Sequence, residues 1–339
     1  MTIHYFHRAI HSGYSIERVS KTYIDEIKKT ENVKEFFSPC GEASFLSLCK
    51  NLRFAWKHRN KTGINHITGG NYYLTLALPA RKTVLTYHDL TPVVNTVAKN
   101  KEPRIKISLK KYLWFYLPMK RAYRIVCVSE YTRNELQRLI PSISKNKFIV
   151  IPNAIGKDFK YSAKKFNNEN PVILMTGMTE NKNMVRMVRA LKGIKCKIRI
   201  VGKIDEKLNK SMAENGYDYS VASNLSDDEI VEEYKNCDIV AFASTYEGFG
   251  MPIIEGQATG RVILTSNISP MTEIAGHGAQ VVNPYSVEDI RSGFLKIIRD
   301  ENYRNILLDK GIGNIAKYQP EYVVREHLKI YESCEFYKP

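Results

Sequence analysis

The stretch STYEGFGMPIIEGQATG, residues 244–260, contains two glutamates, Glu247 and Glu255, separated by seven residues. The apolar run DIVAFAS before it is typical of a buried strand, and MPIIEGQAT has the pattern of a helix with a proline in its first turn. Gly248 and Gly250 allow the backbone to approach a ligand closely. The N–H groups at a helix start favour an anion such as a phosphate. The stretch therefore predicts a strand–loop–helix unit with a ligand site at the end of the strand.

Similar alternation of apolar runs and amphipathic stretches occurs throughout the chain. Strands are predicted at 2–7, 63–68, 83–90, 124–129, 147–153, 171–177, 196–203, 238–244, 261–266 and 279–284. Helices are predicted at 16–29, 131–140, 184–193, 226–237, 251–259 and 287–301. Strands and helices in alternation indicate right-handed βαβ units and parallel sheets. We therefore expect an α/β protein with two doubly wound domains, a linker near the polar stretch 160–171, and ligand sites in a cleft at the carboxyl ends of the strands.

The composition is that of an ordinary globular protein, with 43% hydrophobic and 25% charged residues among 339. The sequence has no long apolar run typical of a membrane span and no signal-peptide pattern at its start. Six scattered cysteines lack metal-ligand spacing, so we expect reduced cytoplasmic thiols and neither a zinc site nor a disulfide framework. No D-x-D motif or His/Asp/Glu cluster predicts a metal, and no cofactor is expected.

The charge is unevenly distributed. Residues 1–158 have 27 Lys or Arg against 11 Asp or Glu, whereas residues 159–339 have 24 of each. The whole net charge of +16 therefore lies in the first half. A basic half predicts an anionic partner, and without a nucleic-acid motif we expect a membrane surface or a phosphorylated substrate instead of a nucleic acid.

The two glutamates suit a particular ligand. Glu247, in the loop, can accept hydrogen bonds from sugar hydroxyls, and Glu255, about one turn into the helix, can accept them from a ribose. A diphosphate would lie between these two rings, near the helix start. The arrangement predicts a nucleotide sugar, although two solvated glutamates remain the alternative.

Together these segments resemble the retaining glycosyltransferases of family 4, which have the GT-B fold of two Rossmann-like domains. The stretch 244–260 resembles their E-x7-E signature. SNISPMTEIAGHGAQVVNP (266–284), CVSEYTRNEL (127–136), VIPNAI (150–155) and TYHDL (86–90) resemble other family segments in the same order. The resemblance covers nearly the whole chain, and only E-x7-E is specific by itself.

The resemblance implies roles for matching positions. Glu247 would hold the donor sugar, Lys182 would neutralise the donor diphosphate, and His88 would contact the sugar near the reacting carbon. The remaining donor-binding positions would be Gly13, Gly177, Gly202, Asn224, Leu225, Gly248, Phe249, Gly250, Met251 and Glu255. Lys182 as a surface lysine and His88 as a structural histidine are the alternatives.

The sequence departs from the family at the phosphate site. Met178 and Asn181 stand where the family often has an arginine. Arg186 and Arg261 are the candidates to supply the second cation.

Four residues are expected on the acceptor side. Asp89 follows His88 and could orient it or touch the acceptor. His66 lies in the predicted strand 63–68, Gly69 and Gly70 follow that strand, and a plain tight turn is the alternative for them.

A basic aromatic stretch, residues 99–124, has nine Lys or Arg and one Glu. Cations beside aromatic and leucine residues suit a membrane interface rich in anionic lipid. The residues expected there are Lys106, Lys110, Lys111, Trp114, Phe115, Lys120 and Arg121. A buried helix face with solvated lysines is the alternative.

We therefore expect an acceptor-binding domain (1–158), a donor-binding domain (159–318) and a last helix (319–339) that packs back on the first domain. The expected reaction is metal-independent, retaining transfer of a hexosyl group from a UDP- or GDP-sugar to a lipid-linked glycan, in bacterial O-antigen or capsule assembly at the inner face of the membrane. A nucleotide-sugar isomerase or epimerase and a non-catalytic sugar-nucleotide sensor are the alternatives.

Overall fold

The structure, a computed structural model, describes residues 1–10, 14–42, 44–89, 112–177 and 179–335. It divides into two units: unit 1 contains Met1–Ala154 and the helix Pro320–Glu335, and unit 2 contains Ile155–Gln319. Each unit is built on one parallel sheet of six strands. The predicted pair of doubly wound domains is therefore confirmed.

Unit 1 has the strand order β2-β1-β3-β4-β5-β6, in which the central strands β3 and β4 are buried along their whole length. Its strands are β1 (Thr2–His7), β2 (Asn32–Phe37), β3 (Ile64–Ile67), β4 (Thr83–Tyr87), β5 (Arg124–Cys127) and β6 (Phe148–Val150). Its helices are Tyr14–Ile27, Phe45–His58, Leu117–Arg121, Glu130–Leu139 and Pro320–Glu335. The last helix packs on Tyr14–Ile27 and places Tyr331, fully buried, in the core of this unit.

Unit 2 has the strand order β12-β11-β10-β7-β8-β9. Its strands are β7 (Val172–Thr176), β8 (Lys197–Val201), β9 (Tyr219–Ala222), β10 (Ile239–Phe242), β11 (Val262–Ser266) and β12 (Gln280–Val282). Its helices are Met184–Ala190, Glu206–Glu214, Asp227–Asn236, Met251–Ala258, Met271–Ala275, Val287–Arg299 and Glu301–Asn314. Counted within the unit, this is the 3-2-1-4-5-6 order of Rossmann folds, whose ligand crevice opens where the order reverses. In unit 2 the reversal lies between β7 and β10.

The stretch predicted as a linker, 160–171, instead packs on unit 2. The Ser162 carbonyl accepts a hydrogen bond from Arg261 at 2.8 Å, and Lys164 pairs with Asp238. Asp238 also accepts the Val172 backbone N–H at 2.8 Å. The polar residues of this stretch therefore serve as hydrogen-bonding partners of the domain, which their composition alone did not indicate.

Candidate active site

The site in unit 2 is built from two loops that leave the sheet at the point where the strand order reverses. The loop after β7 contains Gly177 and the short turn Glu180–Lys182, and the loop after β10 contains Glu247. Backbone bonds join the loops, because the Thr245 N–H donates to the Asn181 carbonyl at 2.8 Å. Residues 64 positions apart in the sequence are thus fixed beside each other.

Lys182 and Glu247 form the ion pair of this site. Lys182 Nζ donates to Glu247 Oε1 at 2.8 Å, and the two side chains are 21% and 14% exposed. The ammonium also lies over the Phe242 ring, 4.7 Å from its centre. This partial exposure leaves both charged groups accessible to a ligand while the pairing fixes their positions.

Gly177 makes room for the lysine. Its φ of +89° is unfavourable for other residues, and a Cβ here would lie 3.0 Å from Lys182 Cγ and Cε. A side chain at this position would displace the stem that carries the ammonium.

Asn181 orients Glu247. Its Nδ2 donates to the Tyr246 carbonyl at 2.8 Å and to Glu247 Oε1 at 3.2 Å. The sequence marked Asn181 only as the position of a missing arginine. The structure shows that it holds the carboxylate that the E-x7-E signature predicts to bind sugar.

Asn183 fastens three loops of unit 2. It is 4% exposed, with a φ of +59°, and its Nδ2 donates to the carbonyls of Ala243 at 2.9 Å and Pro284 at 2.6 Å. These carbonyls follow β10 and β12, whereas Asn183 itself follows β7. Asparagine tolerates this left-handed backbone and supplies the amide that bridges the loops.

The helix Met251–Ala258 begins at Gly250, whose φ is +114°. No side-chain cap bond is present at this start among the described residues, and Pro252 lies in the first turn. Such a start presents backbone N–H groups and the positive end of the helix dipole. Phe249, 5% exposed, packs edge-on against Tyr318 and anchors the turn.

Glu255 lies in that helix and is 6% exposed. Its Oε2 accepts a hydrogen bond from the Tyr234 hydroxyl at 2.6 Å. Tyr234, which the sequence analysis did not single out, is 1% exposed on the helix Asp227–Asn236. Only the tertiary packing of these helices brings the pair together, so no local sequence signal could have found Tyr234.

Three more of the predicted donor-binding positions, Gly202, Asn224 and Leu225, follow the neighbouring strands. Gly202, after β8, has a φ of +144° and donates to the Ala222 carbonyl at 2.7 Å. Asn224, with a φ of +59°, lies between β9 and the helix that Ser226 caps together with Glu229. Leu225 lies in the same loop.

Arg261 was one candidate for a second cation, and the structure excludes it. Its guanidinium donates to the carbonyls of Tyr234, Ser162 and Gly260, and the residue is 4% exposed. Arg261 also directly precedes β11, at the end of the sheet opposite the site. Arg186 is half-buried, donates to Asn183 Oδ1 at 2.9 Å and lies near the Tyr285 ring.

In unit 1, His88 follows β4. Its Nε2 donates to the Thr68 carbonyl at 2.8 Å, and burial lowers the pKa of His88 to about 4, so the ring is neutral at pH 7. A Cβ on Gly69 would lie 3.1 Å from His88 Cδ2, and one on Gly70 would collide with the Arg8 side chain. Gly69 and Gly70 thus form a tight turn beside His88, and Asp89 follows it in a partly exposed position.

His66 does not lie at an accessible surface, so its predicted place on the acceptor side is wrong. It is 0% exposed, and its two ring nitrogens hydrogen-bond the hydroxyls of Tyr331 at 2.5 Å and Thr86 at 2.7 Å. Burial lowers the pKa of His66 well below its ordinary value. It is a core residue that links β3 to the last helix.

Within the segment 99–124, predicted to lie at a membrane, the structure contradicts the prediction for Phe115 and Trp114. Phe115 is 8% exposed in the core of unit 1, and the half-buried Trp114 packs 5.8 Å from Tyr73. Lys120 and Arg121 are exposed, and Arg121 donates to the carbonyls of Thr75 and Leu78. Four predicted positions lie outside the described residues: Gly13, Lys106, Lys110 and Lys111.

Two features are absent from the part of the chain that the structure describes. No group of three or more His, Cys, Asp or Glu side chains there has an arrangement that could hold a metal ion. No helix there combines the length and apolar character needed to cross a bilayer.

Two family models cover most of the chain. The model "Glycosyltransferase Family 4" matches residues 25–159, and "Glycosyl transferases group 1" matches residues 157–312. Their junction lies close to the division between the two units.

The chain is similar to several known proteins. The serotype-specific mannosyltransferase WbdA of Escherichia coli is 25% identical over 283 residues, 75% of this chain but 34% of WbdA, so the chain spans about a third of that protein. The O-antigen chain mannosyltransferase B of Escherichia coli is 21% identical over 83% of this chain and 77% of its own length. The structure of HepE from Anabaena in complex with UDP and glucose has a TM-score of 0.74 and 13% identity, covering 98% of this chain and 100% of HepE. The two sheets and this likeness confirm the predicted GT-B fold.

Proposed function

We propose that this chain, a glycosyltransferase of the family 4 type related to O-antigen enzymes, transfers a hexosyl group from a UDP- or GDP-linked sugar to a hydroxyl of a glycan. We propose further that the anomeric configuration is retained and that no metal takes part. Unit 2 would bind the donor and unit 1 the acceptor.

The contact between Lys182 Nζ and Glu247 Oε1, 2.8 Å long, is the observation that supports this proposal most strongly. A carboxylate suits sugar hydroxyls, and an ammonium suits the charge that grows on a leaving diphosphate. Both lie at the reversal of strand order, where Rossmann folds bind nucleotides. When a donor enters, its phosphates compete with Glu247 for the ammonium, and Glu247 turns its oxygens to the sugar.

The nucleoside diphosphate would be held by protein groups alone. The N–H groups at the start of Met251–Ala258 would face the phosphates, as helix N-termini do in other anion sites. Glu255, fixed by Tyr234, would bind the ribose hydroxyls. Lys182 and the helix dipole would replace the divalent ion that other glycosyltransferases hold with a D-x-D motif.

The chemical step would follow the front-face mechanism that the family resemblance implies. The bond between the anomeric carbon and the diphosphate oxygen breaks as the acceptor hydroxyl oxygen bonds to the same face of that carbon. The leaving diphosphate takes the hydroxyl proton, which balances the reaction without a protein base. His88, whose ring is neutral at pH 7, would assist as a hydrogen-bonding group and not as an acid.

We propose that the acceptor is a glycan on a lipid carrier. The protein would be cytoplasmic and would act as a peripheral protein at the inner face of the membrane. Mannose is the first sugar to test, because WbdA and the O-antigen chain mannosyltransferase are named as mannosyltransferases. The basic charge of the first half suits an anionic lipid surface.

Turnover of labelled nucleotide sugars with and without glycan acceptors, in the presence of EDTA, tests the proposal. We expect transfer that requires acceptor, survives EDTA and gives a product with the donor's anomeric configuration by NMR. Conversion of the donor without acceptor would identify an isomerase instead. Loss of activity with EDTA and recovery with a divalent ion would contradict the metal-free mechanism.

A further inference from the structure

The helix Phe45–His58 of unit 1 packs Leu48 and Leu52 against the core but also carries large apolar side chains on its exposed side. Its buried positions are Ser47, Asn51 and Ala55. Phe45 is 76% exposed, and Leu46 is 72% exposed. A helix that only covers a sheet has polar residues on its outer side, so large apolar groups there indicate that the outer face serves a contact.

Cations accompany these apolar groups on the same outer side. We define the basic-aromatic face by its exposed residues Phe45, Leu46, Lys50, Arg53, Trp56 and Lys57. Trp56 is 58% exposed, with the Arg59 guanidinium 4.2 Å from the centre of its ring. Residues 41–61 contain five Lys or Arg and a single acid, Glu42. The face therefore combines large exposed apolar side chains with positive charge.

The neighbouring segment extends this chemistry. Asn51 Nδ2 donates to the Tyr73 hydroxyl at 2.8 Å, and the Tyr73 ring lies 5.8 Å from Trp114. The helix and the segment Tyr112–Arg121 thus pack on the same turn. Tyr112 is 47% exposed, and Lys120 is exposed.

We propose that the basic-aromatic face docks on an anionic lipid bilayer, with Phe45, Leu46 and Trp56 at the headgroup–acyl boundary and Lys50, Arg53 and Lys57 against the headgroups. Charge complementarity selects this occupant, because a bilayer with anionic lipids offers both a negative surface and an apolar layer beneath it. The sequence predicted a membrane contact at 99–124, whereas this proposal places the contact on the helix Phe45–His58. It rests on the proposed function only for its purpose, which is to bring unit 1 to a lipid-linked acceptor.

Cosedimentation with vesicles of phosphatidylcholine, with and without phosphatidylglycerol, tests the inference. The variant Lys50→Glu/Arg53→Glu/Lys57→Glu should bind the anionic vesicles at least tenfold more weakly than wild type. The control variant Lys195→Glu/Lys207→Glu/Lys310→Glu makes the same change of charge at exposed lysines of unit 2 and should lose less than threefold. Equal losses in the two variants would mean that net charge alone binds the vesicles and would overturn the proposal.

Trp56 provides a second readout, since the chain has only two tryptophans. Tryptophan emission should shift to the blue with anionic vesicles in wild type but not in Trp56→Phe. An unchanged shift in Trp56→Phe would contradict insertion of this face.

Sedimentation without vesicles completes the test. A dimer that dissociates in the triple variant of the face would assign the face to a second copy of the chain and would also overturn the proposal. Melting of each variant with UDP and GDP reports donor binding separately, so failure of the membrane proposal and failure of the proposed function remain distinguishable.

Discussion

Lys182 has two neighbours that hold it in place, the Glu247 carboxylate and the Phe242 ring. Replacing it by alanine removes the cation that we propose stabilises the leaving diphosphate. We expect kcat to fall by about a hundredfold or more, as for other groups that stabilise transition-state charge. Transfer assays measure the fall, with the exposed Lys207→Ala of the same unit as the control. A Lys182→Ala enzyme with wild-type kcat would exclude this role.

Tyr234 acts on the proposed ribose contact through Glu255. Tyr234→Phe keeps the buried ring and removes the hydroxyl that donates to Glu255 Oε2. We expect the nucleotide to bind about tenfold more weakly, the scale of one hydrogen bond to a charged group, with kcat nearly unchanged. Calorimetric titration with nucleotide and a comparison of KM with kcat check this. A fall in kcat with no change in nucleotide affinity would remove Glu255 and Tyr234 from ribose binding.

At the residue scale, the sequence predicted the groups that belong to a motif but not their partners. Glu247 and Lys182 were predicted, and they lie in contact. Asn181 and Tyr234 were missed as partners because their roles come from chain segments 66 and 21 residues away. His66 was misassigned because it follows the same local pattern as a site histidine, and only the last helix, far along the chain, covers it.

At the scale of elements, Asn183 connects the loops after β7, β10 and β12 through its side-chain hydrogen bonds. Asn183→Ala should lower the free energy of unfolding by about 2–4 kcal/mol, since it strands two buried carbonyls and puts alanine in left-handed backbone. Asn183→Gly should lower it less, because glycine accepts that backbone. Urea unfolding measures both, with the exposed Asn305→Ala as the control. Equal stability of the wild type and Asn183→Ala would show that the loops hold without it.

Strands at the edges of the sheets were the hardest to predict from the sequence. The two strands that the sequence did not predict, β2 and β9, lie at an edge of their sheets, where partial exposure replaces a continuous apolar run. The helix Phe45–His58 was missed because its exposed apolar residues obscure the usual pattern. The helix Glu301–Asn314 was missed because its apolar residues do not share one side, with Ile306 50% exposed and Leu307 4% exposed. Central strands were predicted well because burial on both faces demands apolar residues.

For the molecule as a whole, the last helix makes the stability of unit 1 depend on pH. His327 is 2% exposed and stacks on Tyr23 at 4.4 Å, and burial lowers the pKa of His327 to about 4. His327 stays neutral in the folded state, whereas in the unfolded chain it takes up a proton below the ordinary histidine pKa of about 6.5. Stability is therefore complete above pH 6.5 and falls as the pH drops toward 4, by about 2 kcal/mol per such histidine between pH 7 and pH 5.

The variant His327→Phe tests this dependence, because it keeps a ring beside Tyr23 and removes the titrating group. Its free energy of unfolding should fall less between pH 7 and pH 5 than that of the wild type, by about 2 kcal/mol. Tryptophan fluorescence follows unit 1 selectively, since Trp56 and Trp114 both lie there. The exposed His277→Gln of unit 2 is the control. The same pH dependence in wild type and His327→Phe would assign acid sensitivity to other groups.

The central claim is that unit 2 binds a nucleotide sugar through Lys182, Glu247 and the start of Met251–Ala258 without metal. Thermal melting against UDP, GDP, ADP and CMP and their sugars, in EDTA, tests it most directly. We predict that one nucleoside diphosphate and its sugar raise the melting temperature, that Lys182→Ala abolishes both shifts, and that Glu247→Gln loses only the extra shift due to the sugar. A melting temperature that no nucleotide or nucleotide sugar changes, or shifts that survive in Lys182→Ala, would contradict the account.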